Sequence, residues 1–152
     1  KCGSNLILMN ENIEKKCIVC NLSYFPNLSP AVIVLIQNDD KILLARSKNF
    51  RPKVYGLIAG FIELGENAES AVHREVKEEV GINIHRLEYF GTQSWPFPNS
   101  FMIAYKAHYL SGELIIDKKE IEDAKWFDLN NLPELPYLSS IARKLIDNLL
   151  FN

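Results

Sequence analysis

Arg74-Glu75-Val76-Lys77-Glu78-Glu79 places three carboxylates beside one guanidinium. On a wheel at about 100° per residue, Ala68, Ala71, Val72, Val76 and Val80 form one apolar stripe. Glu75 and Glu79 fall inside it. Glu78 lies on its edge with Arg74 next around, and Ser70, His73 and Lys77 take the opposite face. Carboxylates on a packing face repel one another and lose hydration, so they need compensation. One arginine cannot neutralise three glutamates. Oxygen ligands at this density suit Mg²⁺ or Mn²⁺, which bridge readily to phosphates. A solvated helix with pairs one turn apart is the other reading, and periodicity leaves both open.

The second reactive set is sulfur. Cys17 and Cys20 form a C-x-x-C pair, and Cys2 is the remaining cysteine. An odd count makes a poor disulfide framework. In a reducing compartment such a pair reads as a metal site, a redox pair or plain thiols. A third feature is basic: Lys41, Arg46, Lys48, Arg51 and Lys53 occur within 41–54 without an acid. That segment is either a phosphate contact or a solvated loop.

The elements that must hold these residues follow from pattern. Ala31–Gln37 is an apolar β-rich run, Asn38–Asp40 a turn signal and Lys41–Arg46 a second strand, together a hairpin. Residues 47–54 read as a basic loop, and 54–62 as a buried strand ending at a tight turn. Asn67 is the expected N-cap of a helix to Val80, with Gly81 as its C′ glycine. Strands follow at 83–95, 100–110 and 125–127. Residues 138–150 show an apolar face at helical spacing. Strands mixed with two helices predict an α+β or α/β sandwich. Pro26 and Pro30 mark a linker after a distinct cysteine-bearing segment.

Length and composition bound the answer. The 152 residues suit one domain with at most a small accessory module. A net charge of −2 excludes a uniformly basic nucleic-acid surface, so DNA is not an expected partner. Apolar runs are too short for a transmembrane helix, so no membrane is expected. With no secretory signal, the cytoplasm is the expected location. The chain begins at Lys1 and reads as a fragment with sequence missing upstream.

The wider spacing is specific. Gly60, Glu66, Arg74, Glu75, Val76, Glu78, Glu79, Gly81 and Ile82 fit G-x5-E-x7-R-E-U-x-E-E-x-G-U at every defined position, where U is bulky and apolar. This stretch resembles the Nudix box of the Nudix hydrolases. The resemblance implies an α/β/α sandwich, a form of α+β fold, and hydrolysis of a nucleoside diphosphate linked to another group. It implies that Glu75, Glu78 and Glu79 hold Mg²⁺ or Mn²⁺, that Arg74 orients them, and that the Ala59 carbonyl lies near the metal. Gly60 permits a sharp turn, and Gly65 serves the loop before the helix.

Other segments resemble the NADH pyrophosphatase subfamily. Thr92–Ser100 resembles S-Q-P-W-P-F-P-x-S, departing at Thr92 and Ser94. Cys2-Gly3 and Cys17-x-x-Cys20 resemble three-quarters of a four-cysteine zinc ribbon, which implies structural Zn²⁺ with its first cysteine upstream. The implied division is a partial zinc ribbon at 1–24 and a Nudix domain at 25–152. Phe25–Pro30 resembles Y-P-R-x-x-P, with Phe for Tyr and Asn27 for Arg. On that resemblance Phe25, from a partner subunit, and Phe61 stack the base with help from Gln93. Asp117–Glu120 resembles D-P-K-E, which makes Glu120 a further metal ligand or base. Ser140–Arg143 resembles S-I-A-R, with Ala142 beside the ligand. The implied protein is a homodimer cleaving NADH or NAD⁺ to the mononucleotide and AMP, with NAD-capped RNA as a further substrate. The rivals are a hydrolase for ADP-ribose or dinucleoside polyphosphates, a non-catalytic nucleotide sensor, and a zinc-ribbon interaction module.

Overall fold

The computed structural model describes residues 2–9, 11, 13–48 and 51–151. Two sheets form. The first is small and antiparallel, with β1 (Leu6–Met9), β2 (Glu14–Cys17) and β3 (Ser23–Tyr24) in that order. It gathers the cysteine-bearing segment, whose strands the sequence reading did not anticipate.

The second sheet has six strands: β4 (Ser29–Asn38), β5 (Lys41–Ser47), β6 (Ile58–Phe61), β7 (Asn83–Trp95), β8 (Ser100–Ser111) and β9 (Ile121–Asp128). The order is β7-β8-β4-β5-β9, with β6 also paired to β4. β4 runs parallel to β8 and antiparallel to β5 and β6, so the sheet is mixed. Ala31 to Ile36 is buried throughout because both faces of β4 are covered. Val32, Val34 and Ile36 pack with Ala71, Val72, Val76 and Val80 of α1 (Ala68–Val80). Ile33 and Leu35, pointing the other way, pack with Ile141, Leu145 and Ile146 of α2 (Ile141–Phe151). The α/β/α sandwich thus follows from the two-residue period of one strand.

Several expected boundaries move. Pro30 lies inside β4, and its carbonyl accepts the Ile62 N–H at 3.1 Å. The strand expected over 54–62 is regular only from Ile58; Val54 and Gly56 make isolated bridges to Glu134 and Ala45. The strand around 125–127 extends to Ile121–Asp128, because it pairs with β5 along its length. The second helix starts at Ile141, after a turn closed by Ser140. Asn67 caps α1 as expected, its side chain accepting the Ser70 N–H at 2.7 Å. Gly81 ends it at φ 76°, a conformation natural to glycine. Among the described residues no helix is long and apolar enough to cross a membrane.

Candidate active site

α1 presents its carboxylates as its wheel requires. Glu75 and Glu79 are buried, 9% and 7% exposed, while Glu78 is largely open. Arg74 links four groups. Its Nε and Nη2 grip both Glu66 oxygens at 2.9 Å, a fork-to-fork pair. Nη1 reaches Glu75 at 2.8 Å and Glu78 at 3.0 Å. Nη2 also donates to the Phe61 carbonyl at 2.9 Å. The hydrogen bonds from Arg74 hold the Glu66 carboxyl below its usual range. Glu66 is the member of the set that sequence reasoning left without a role; its signal was its place in the spaced motif.

Gly60 lies against this cluster. A Cβ there would come within 1.9 Å of the Glu75 carboxyl carbon. No larger residue fits without displacing that carboxylate, so the glycine at this distance from the glutamate has a steric cause.

Glu79 is the exception in the network. Among the described residues, its Oε2 is a buried side-chain atom without a hydrogen-bond partner. Burial, reinforced by Glu75, Glu120 and Asp117, pushes its pKa to about 8. Burial also raises Glu75, against the pull of Arg74. A buried carboxylate oxygen without a donor calls for a cation.

Glu120 is brought to this place by two tethers. The Asp117 N–H donates to the Glu79 carbonyl at 2.9 Å, tying the 113–117 segment to the end of α1. The Lys48 N–H donates to the Glu120 carbonyl at 3.4 Å, closing the end of β5 over it. Glu79, Glu120 and Ala59 line one charged cavity of about 440 Å³, with Lys48 and Lys119 also on its wall. Glu75 and Glu78 join through Arg74 rather than by lining that cavity.

A second cavity of about 410 Å³ adjoins it, sharing Leu57 and Ala59. Its wall is apolar, with Ile33, Trp95, Met102 and Ala142. Tyr137 and Arg51 stand at this cavity too, the guanidinium 4.7 Å from the ring centre. Trp95 and Ala142 lie in segments whose resemblance was noted; Arg51 belongs to the basic segment read as a phosphate contact or a solvated loop, and Tyr137 had no sequence signal. Gln93 lines the cavity, but both ends of its amide are engaged. Nε2 donates to the Ser139 carbonyl at 2.8 Å, and Oε1 accepts the Ile141 N–H at 2.6 Å. Its role here is to anchor the start of α2. Phe25 and Phe61 are 63% and 57% exposed and do not line the cavity within one chain.

The cysteines converge elsewhere. The Sγ atoms of Cys2 and Cys17 lie 3.4 Å apart, and all three thiols lie within 4.8 Å of one another. Tetrahedral zinc with bonds of about 2.3 Å holds its sulfurs about 3.8 Å apart, so the three fit as part of such a set. Hydrogen bonding from Ser4, then from the other thiols, lowers the Cys2 pKa to about 6, favouring thiolate.

The comparisons agree with this geometry. Residues 27–149 match the NUDIX domain family. The chain belongs to that family. It is 49% identical over 146 residues to the NAD-capped RNA hydrolase NudC of Pseudomonas aeruginosa (strain LESB58), covering 96% of this chain and 52% of that protein. The chain therefore spans about half the length of the curated relatives it matches. Among solved structures it resembles a MutT NUDIX hydrolase from Burkholderia pseudomallei, at 27% identity and a TM-score of 0.68, covering 80% of this chain and 97% of that one. A NUDIX hydrolase from Nitrosomonas europaea shares the fold at 22% identity, with a TM-score of 0.70 over 99% of this chain and 86% of that one.

Proposed function

We propose that this chain is the hydrolytic part of a metal-dependent NAD(H) pyrophosphatase that also removes NAD caps from RNA. The observation that carries the reading is the pair of adjoining cavities: an apolar one sized for a planar ring and a charged one into which a buried carboxylate oxygen without a donor is set. A dinucleotide has that same composition, an aromatic ring beside a diphosphate. The NudC relative's name adds the NAD cap as a substrate class. The overall reaction joins a water oxygen to one phosphorus and breaks its bond to the bridging oxygen. The products are nicotinamide mononucleotide and AMP, or a 5′-phosphorylated RNA from a cap.

The residues divide the work. Glu79, Glu120, Glu75, Glu78 and the Ala59 carbonyl would hold Mg²⁺ or Mn²⁺. Such ions supply Lewis-acid polarisation of the phosphoryl oxygens and acidify bound water. Arg74 keeps Glu75 and Glu78 aligned and neutralises Glu66. Ala142, Trp95 and Met102 exclude water around the ring. Gln93 fixes the α2 end on which Ala142 sits. The exposure of Phe25 and Phe61 supports their stacking on a ring across a homodimer, where the partner supplies Phe25. Residues 1–24 form a partial zinc ribbon and 25–152 the Nudix domain. Free thiols suit the reducing cytoplasm.

The test is AMP release from NADH and from NAD-capped RNA with Mn²⁺, comparing the wild type with Glu79→Gln. Metal-dependent AMP from NADH, lost in the variant, supports the reading. Turnover of ADP-ribose in preference to both substrates overturns it.

A further inference from the structure

Two cations on the wall of the charged cavity remain without a role. Lys48 follows β5, and Lys119 precedes Glu120 on the turn that β5 closes over. Both line the cavity with Glu79 and Glu120. The neighbouring basic groups are engaged elsewhere. Lys41 pairs with Asp128, Arg46 with Glu122, and Arg51 stacks on Tyr137. Lys118 donates to the Glu122 carbonyl at 3.1 Å. Among the described residues, the side chains of Lys48 and Lys119 make no ion pair, although carboxylates share their cavity.

We propose that Lys48 and Lys119 hold a phosphate of the substrate, the one belonging to the nucleotide half outside the apolar cavity. This rests on the dinucleotide reading above, taken with the nicotinamide ring in the apolar cavity and the AMP half outside it. The geometry orders the groups. Neither lysine lines the apolar cavity, and the two cavities meet at Leu57 and Ala59. A ring in the first cavity directs its own phosphate to that shared wall. The second phosphate then lies in the charged cavity, where the exposed ends of the lysines are. Its negative charge cannot be held by the carboxylates themselves. An ammonium on a long stem is a mobile point charge suited to phosphate, and it follows the group as it departs. The two approach the cavity from separate segments, Lys48 just after β5 and Lys119 on the turn before β9.

The test uses Lys48→Met, Lys119→Met and the two Lys→Arg variants, each with Mn²⁺. Calorimetry measures AMP binding to protein already saturated with nicotinamide mononucleotide, and separately measures mononucleotide binding alone. Loss of one charge-assisted contact is worth about tenfold. The expected result is about tenfold weaker AMP binding for each methionine variant, with mononucleotide binding unchanged and the arginine variants near wild type. kcat/KM for NADH falls by a similar factor. AMP binding within twofold of wild type overturns the assignment, as does an equal loss for both mononucleotides. Unchanged melting curves separate a contact from a folding defect. If the wild type binds AMP but releases none from NADH, the reaction reading fails, and the AMP comparison still decides the role of the lysines.

Discussion

Replacing Glu79 by glutamine should make the metal-free protein more stable at neutral pH. The carboxyl is 7% exposed, its Oε2 has no partner among the described residues, and its pKa stands at about 8 against an ordinary 4.5. A raised carboxyl means that the folded state holds a proton which the unfolded state has released. Stability is therefore full below the unfolded value and is lost as pH rises toward 8. The slope is about 1.4 kcal/mol per pH unit across that window. From about pH 5 to about pH 7.5 the loss reaches about 3 kcal/mol as an upper figure, and relaxation of the cavity lowers it to about 2 kcal/mol. Glutamine keeps the shape and cannot ionise. Urea denaturation with chelator present, at several pH values, reads the difference directly. The wild type should lose stability over this range, whereas Glu79→Gln should lose about 2 kcal/mol less. Added Mn²⁺ should restore the wild type by mass action and leave the variant nearly unmoved. Equal pH slopes in the two proteins would refute the argument that this carboxyl is buried unpaired.

Gly60→Ala should leave the fold intact but displace the Glu75 carboxylate, since the added Cβ falls within 1.9 Å of it; Mn²⁺ affinity and kcat should each drop at least about tenfold, read by metal titration and AMP release. Arg74→Lys replaces a fork by a point charge and frees one Glu66 oxygen; stability should fall, seen as a lower Tm, with a lower kcat. Gln93→Ala should detach the start of α2, raising KM for NADH more than it lowers kcat in steady-state assays. Cys17→Ser should lower bound zinc measured by elemental analysis, because Cys17 is the buried thiol at the centre of the three-sulfur cluster.

Much of what local period and local backbone chemistry set was legible in the chain, although the short strands β1 to β3 were not. Asn67 and Gly81 bound α1 because a cap needs a side-chain acceptor at one end and a left-handed residue at the other. The wheel placed Glu75 and Glu79 inward and Glu78 at the rim, since side chains on a helix have no choice of face. The apolar run at 31–37 announced the strand β4 and its hairpin with β5, while its cover on both faces is a finding of the structure.

What the chain could not disclose depends on contacts between distant segments. Nothing in the spacing says that Glu79, rather than Glu75, is left unpartnered; that follows from which carboxylates Arg74 reaches in space. Glu120 meets Glu79 only because the 113–117 segment bonds to the end of α1 and β5 closes on the following turn. Gln93 reads as a ligand group, but tertiary packing engages its amide with α2. Tyr137 and Arg51 meet at the apolar cavity from segments 86 positions apart. Helical and strand periods are properties of a few consecutive residues, whereas burial, pairing and cavity walls are properties of the assembled layers.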